Sequence, residues 1–215
     1  MNDSYKTVDK CASAELIEKK SRFIAHVKPI LNEEEAVDFI KSVKSKYFDA
    51  THNVYAYSAG HDGFEAQRYS DDGEPQGTAG IPVLEVIKKN NLKDVCIVVT
   101  RYFGGTLLGA SGLIRAYGRS ASLGVSSANI IEMILSELIA IYIEYSLFGL
   151  VQSALLQRNY TIESVKYGQD VELSVYIRSG EYDSFVKLIT ELTNDSFLAE
   201  RKAVKYIKNK ENSYA

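Results

Sequence analysis

The stretch RYFGGTLLGASGLIRAYGRS, Arg101–Ser120, follows directly on the run DVCIVVT, Asp94–Thr100, and decides how the first half of the chain is read. The run has the near-continuous apolar character of a strand buried on both faces. Leu113, Ile114, Tyr117 and Ala121 then recur at helical spacing. Between strand and helix stand Gly104, Gly105, Gly109 and Gly112. Glycine is needed where φ is positive or where a Cβ would block a close approach, which leaves two readings. In one, a strand-to-helix loop turns several amides toward one anion at the positive end of a helix, with Arg101 and Arg115 adding formal charge. In the other, the first two glycines make a tight bend, the last two let elements pack closely, and no ligand is involved. The spacing fits neither the dinucleotide fingerprint nor the P-loop, which disfavours nucleotide hydrolysis by that route.

Upstream, RYSDDGEPQGTAG, Arg68–Gly80, gathers Asp71, Asp72 and Glu74 among glycines and a proline. These acids suit a metal or the orientation of a substrate's donors. They equally suit turn chemistry beside a helix start, where carboxylates meet the positive end of the dipole. His52 heads a strand and reads either as a hydrogen-bonded structural residue or as a base. Aromatic and basic residues mix at QRYS, RYFGG and IRAYGR, a combination that stacks on bases and holds phosphates. The competing reading has Tyr102 and Phe103 cap the core.

Around these loops, SRFIAHVKPI reads as a strand, and NEEEAVDFIKSVKSKY as a helix capped by Asn32. HNVYAYSAG and FEAQRYS read as a hairpin turning at HDG, with His61 at the turn, and a helix opens near Thr78 with Pro82 in its first turns. Periodicity lapses through SASLGVSSAN, placing a domain boundary near residues 125 to 132 and two domains at 1–128 and 129–215. The rest reads as strand, helix, two strands, helix and strand, the βαββαβ order of a ferredoxin-like unit. Its last strand carries Arg201, Lys202, Lys205, Lys208 and Lys210, read as a solvated, aggregation-resistant edge or as phosphate contacts.

A net charge of −3 removes generic attraction to polyanions, so any nucleic-acid contact has to be local. Cys11 and Cys96 are the only cysteines, which suits a reducing compartment, and no apolar run reaches a membrane span or a secretory signal. The expectation is a cytoplasmic protein with no membrane contact. His26, His52 and His61 show no metal-ligand spacing, and no nucleophile elbow is present, so neither catalytic residues nor a metal or other cofactor is assigned.

SRFIA, THNVYAY, RYSDDGEPQGTAGIPVLEVI and VVTRYFGGTLLGASGLIRAYG together resemble the Impact family, specifically its bacterial YigZ-like branch, over roughly residues 21 to 120. The resemblance implies an α+β chain of two domains. The first is a βαβ domain like that of ribosomal proteins and domain IV of elongation factor G, the second a ferredoxin-like domain like domain V of that factor. It also implies a translation-linked role with RNA or the ribosome as partner. Eukaryotic members blunt an amino-acid-starvation kinase largely through an extra N-terminal domain, and here only about twenty residues precede the shared region. A proline-dipeptidase label carried by some bacterial relatives finds no metal-ligand set in this sequence. The expected RNA or anion site is Arg101, Tyr102, Gly104, Gly105, Gly109, Arg115 and Arg68. The alternative is a phosphate-binding protein or enzyme that adds Asp71, Asp72, Glu74 and His52.

Overall fold

The computed structural model describes residues 3–61 and 65–209. In chain order the elements are β1 (Ser4–Val8), β2 (Ala12–Glu18), β3 (Ser21–Pro29), α1 (Glu33–Lys46), β4 (His52–Ala59), β5 (Ala66–Ser70), α2 (Gly80–Lys89), β6 (Val95–Tyr102), α3 (Ala110–Ala128), β7 (Ile130–Ile143), α4 (Tyr145–Gln157), β8 (Thr161–Tyr167), β9 (Val171–Arg178), α5 (Tyr182–Thr193) and β10 (Leu198–Lys208). The chain divides into a unit that ends at Glu132 and also takes in Asn209, and a second unit, Met133–Lys208.

The first unit is built on an antiparallel sheet in the order β2-β3-β6-β4-β5. β3 and β4 both pair antiparallel with β6, so β3-α1-β4 is a βαβ unit whose strands flank a third. One face of the sheet presents Phe23, Ala25, Val27, Val95, Ile97 and Val99 to Val83 and Ile87 of α2 and to Tyr117, Ala121 and Val125 of α3. The other presents Tyr57, Cys96 and Val98 to Ala36, Ile40 and Val43 of α1. Asn32 starts α1 as expected, its side chain accepting the Glu35 N–H at 2.9 Å.

α3 does not lapse where the apolar period does. It runs unbroken to Ala128, because its small residues let it lie directly on β3: a Cβ on Gly124 would stand 2.8 Å from Val27 and 2.9 Å from Ala25. β1 and β2 carry no clear apolar alternation: Ile17 on the outer side of β2 is 66% exposed, while of its inward residues Ala12 and Ala14 are small and Leu16 is only partly buried against the core. β4 and β5 form the expected hairpin, Ala59 pairing with Ala66. His61 bonds the Asp94 carboxylate, while Asp62 and Gly63 of the expected turn lie outside the described residues.

A helix is about 10 Å wide and strands lie about 4.8 Å apart, so one helix covers roughly two strands. α1 packs on β4 and β6, and the β2–β3 side of that face is left to a cleft. His26 sits there, buried, with Nδ1 2.9 Å from Ser13 Oγ. Burial, and secondarily the Lys46 charge, push its pKa down to about 4. The neutral ring is therefore the folded form, and stability is fully present above the unfolded value near 6.5. It falls as pH drops from there to about 4, because the unfolded chain takes up a proton that the folded one refuses. A loss of about 2 to 3 kcal/mol across that window is expected in urea titrations. A His26→Gln variant should remove most of that slope.

The second unit is ferredoxin-like. Its sheet runs β10-β7-β9-β8 with antiparallel pairing throughout. α4 and α5 supply Val151, Leu155, Phe185 and Ile189 to a core with Ile139, Ile141, Leu173 and Val175. The order of strands is the one that two β-α-β halves joined by a hairpin generate when each crossover returns over the same face.

Candidate functional site

Four segments meet at one end of the first sheet. They are the β2–β3 turn at Lys19–Lys20, the residues after α1, the loop between β5 and α2, and the glycine loop after β6. The side-chain period of β6 puts Arg101 in phase with Val95, Ile97 and Val99, facing α2 and α3. Arg101 is consequently only 5% exposed, which corrects the expectation that it faces an open pocket. Nη1 lies 2.5 Å from Glu74 Oε1, the same oxygen accepts the Tyr117 hydroxyl at 2.7 Å, and Nη2 approaches Ser21 Oγ at 3.5 Å. The guanidinium carbon lies 5.4 and 5.7 Å from the Phe23 and Phe103 ring centroids. Burial, reinforced by Glu74, pushes the Tyr117 phenol up, so it stays a donor. Arg101 is thus the centre of a buried lock that joins β6, the β5–α2 loop and α3.

The acids of that loop are turned to partners inside the fold. Asp71 accepts the amides of Gly77, Ala79 and Gly80 at 2.8, 3.1 and 2.8 Å. It thereby caps α2, whose own N-cap residue Ala79 has no side-chain oxygen. Asp72 accepts the Asn53 amide at 2.6 Å and the Lys44 ammonium at 2.5 Å. The His52 Nδ1 lies 2.7 Å from the Asp72 carbonyl, and since a carbonyl only accepts, Nδ1 carries the hydrogen. Nε2 then faces Glu74 Oε2 at 3.8 Å. The expected acidic residues and His52 do come together, in a knot of internal contacts in which Arg101 Nε has no hydrogen-bond partner among the described residues. Asp71→Ala should cost about 1 to 2 kcal/mol in thermal or urea unfolding, because three helix-end amides lose one charged acceptor.

The glycine loop combines both sequence readings. Gly104 is a packing residue: a Cβ there would stand 2.0 Å from the Lys20 carbonyl carbon. Gly105 and Gly109 adopt φ of +79° and +71° with open space around them. The Phe103 and Gly104 amides are taken by Thr51 Oγ1 and Ser21 Oγ at 3.1 and 3.2 Å. From Gly105 to Gly112, by contrast, no amide meets an acceptor among the described residues. The last three of these form the first turn of α3, whose N-terminal donors have no partner within a helix. Around them Phe103 is 46% and Leu107 83% exposed. Lys19, Lys20 and Arg115 are exposed and make no ion pair among the described residues.

The other expected residues fall elsewhere. Tyr102 is at the same end but on the α1 face, its hydroxyl donating to Asp49 at 2.9 Å and Arg22 lying 5.8 Å from its ring centroid. Arg68 is exposed on β5, 3.6 Å from Glu33 at the far end of α1, so it does not join the cluster. Sequence reasoning missed Ser21, Leu107 and the lysine pair. The pair's signal was the double lysine beside SRFIA, whose meaning depends on a turn in which both lysines take positive φ. In the second unit the basic strand is largely neutralised: Arg201 pairs with Glu137, Lys202 with Glu200 and Lys205 with Glu163, and Lys210 lies outside the described residues.

Among the described residues no helix is long and apolar enough to cross a membrane. The Impact N-terminal domain family matches residues 19–125, and a domain of unknown function, DUF1949, matches residues 141–196. IMPACT family member YvyE of Bacillus subtilis (strain 168) is 41% identical over 98% of this chain and 100% of its own. IMPACT family member YigZ of Escherichia coli (strain K12) is 44% identical over 46% of this chain and 50% of its own. A crystal structure of a hypothetical protein superposes with a TM-score of 0.61 at 27% identity, covering 94% of this chain and 99% of that one.

Proposed function

Because the chain belongs to the Impact family, we propose that it is a non-enzymatic, translation-linked protein that docks on ribosomal RNA in the cytoplasm through the glycine-loop end of its first unit. One observation carries this reading. Lys19 and Lys20, whose turn touches Gly104, and Arg115 of α3 make no ion pair among the described residues, and the intervening loop exposes Phe103, Leu107 and a run of amides that meet no acceptor among them. Cations and amides suit phosphate oxygens, and flat or apolar side chains suit unstacked bases. Of the acids at this end, Glu74, Asp72 and Asp71 are spent on Arg101, Lys44 and α2, Glu18 pairs with Arg119, and Asp49 accepts the Tyr102 hydroxyl on the α1 face, so an overall acidic protein keeps a locally positive rim beside the loop.

The buried lock does not touch RNA in this reading; it holds the loop that does. The same internal use of Asp71, Asp72 and Glu74 speaks against their acting as a metal-binding or general-base set. Ribosome co-sedimentation across salt concentrations tests the proposal. The triple variant Lys19→Ala, Lys20→Ala, Arg115→Ala should lower the slope of log affinity against log salt by roughly 2 to 3, one counterion per lost phosphate contact. An unchanged slope in a folded variant removes this face from the account. Competition by inorganic phosphate at low millimolar concentration would instead favour a small phosphate ligand.

A further inference from the structure

We propose that the outer face of α4 in the second unit is a self-association surface, on which two copies of this chain pair with their α4 helices antiparallel. The proposal does not rest on the RNA reading, whose residues all belong to the first unit.

Among the described helices α4 alone has no Asp, Glu, Lys or Arg between its ends, whereas the outer face of α5 beside it carries Asp183, Lys187 and Glu191. The inner side of α4, with Val151, Ala154 and Leu155, is spent on the core. At about 100° per residue, Ser146, Gly149 and Ser153 form a row of small residues along the opposite, exposed side. Leu150 borders that row on one flank, and Tyr145 and Leu156 border it on the other, at 53, 54 and 57% exposure. The Tyr167 ring, 65% exposed, continues the second flank: it stacks on Tyr145 at 6.3 Å between centroids, and the Tyr145 hydroxyl donates to the Gly168 carbonyl at 2.8 Å. A contiguous uncharged patch of this kind marks a protein–protein surface.

Three features select a second copy as the occupant. The small central row lets two helix axes approach closely, and a two-fold axis then sets each flank against its own image. Leu150 lies over the partner's Ser153 and Leu150, and Leu156 lies against the partner's Tyr145. An uncharged face also meets its own image at no like-charge cost, while it offers a charged partner nothing to pair with. Finally, the exposed Glu144 precedes α4 and the exposed Arg158 follows it, neither in an ion pair among the described residues. Antiparallel pairing carries each acidic end to the partner's basic end and opposes the two helix dipoles. The half-exposed large side chains and the row between them amount to roughly 500 to 600 Å² per copy, below the roughly 800 Å² of a standard interface, so the dimer forms at micromolar rather than nanomolar concentration.

Sedimentation equilibrium of the full chain tests this. A monomer–dimer equilibrium with a dissociation constant of about 10 to 100 μM is expected. Leu150→Glu puts a charge into the contact and should weaken it at least about ten-fold with the circular dichroism spectrum unchanged. Leu31→Glu, the same change at an exposed residue of the first unit, should leave it as it is. In a Cys11→Ser background, a mixture of Tyr145→Cys and Leu156→Cys chains oxidised by copper phenanthroline should give mixed disulfide dimers in excess of those from either chain alone. A chain that stays monomeric up to about 500 μM overturns the proposal, as does equal weakening by Leu150→Glu and Leu31→Glu. Cross-links between like cysteines in preference to mixed ones overturn the antiparallel arrangement.

Discussion

Arg101→Met is expected to destabilise the first unit by about 3 to 5 kcal/mol in urea unfolding, because it strands the buried Glu74 carboxylate without its cation. The Tyr117 hydroxyl alone does not replace a guanidinium, and His52 at 3.8 Å is too far for a full hydrogen bond to Glu74 in its present position. A further result separates this mechanism from simple loss of packing. The double variant Arg101→Met, Glu74→Gln should recover a large part of the loss, since a neutral amide costs less to bury than a charge. Equal stability of the single and double variants would contradict it, because a stranded carboxylate would then cost no more to bury than a neutral amide.

The second large effect is expected at Gly104. A Cβ at that position would lie 2.0, 2.2 and 2.3 Å from the Lys20 carbonyl carbon, the Lys20 oxygen and the Ser21 nitrogen. All three are backbone atoms of the β2–β3 turn, so no side-chain rotation relieves the clash, and either the turn or the loop has to move. Gly104→Ala should therefore cost about 3 kcal/mol or more, the upper end for overpacking. Gly105→Ala, one residue on, meets no atom within 4 Å and is strained only through its φ of +79°. About 1 to 2 kcal/mol is expected there. The contrast isolates close approach from backbone conformation, and differential scanning calorimetry of the two variants reads it directly. Since the lysine pair and the glycine loop touch at Gly104, that variant should also lose ribosome association at temperatures where it is still folded.

What was legible in the sequence was what local chemistry decides. The Asn32 cap, the apolar run of β6 and the alternation that builds the second unit are written in neighbouring residues. The direction of Arg101 was not. DVCIVVT is apolar on both faces, so its alternation carries no mark of which face is deeper, and Arg101 reads equally well as pointing in or out. The different fates of Asp71 and Asp72 have the same origin: adjacent acids in one turn are separated only by the partners that α2 and β4 bring to them. Of the rim cations Arg115 was expected, but Lys19 and Lys20 were missed because they meet the glycine loop only through the pairing of β3 with β6, Arg22 opposite Tyr102. Small residues hid the true length of α3, because helical packing at Gly124 needs the absence of a side chain, which an apolar period does not register.

The face itself is tested most directly by photo-crosslinking on purified ribosomes, with a benzophenone side chain placed at position 107 and, as a control, at Leu31. Both positions are highly exposed, at 83% and 81%, but Leu31 lies at the opposite end of the sheet. Ribosomal RNA adducts that disappear in high salt are expected from position 107, with few or none from position 31. Equal yields from the two positions, or adducts from position 31 alone, would contradict docking through this face.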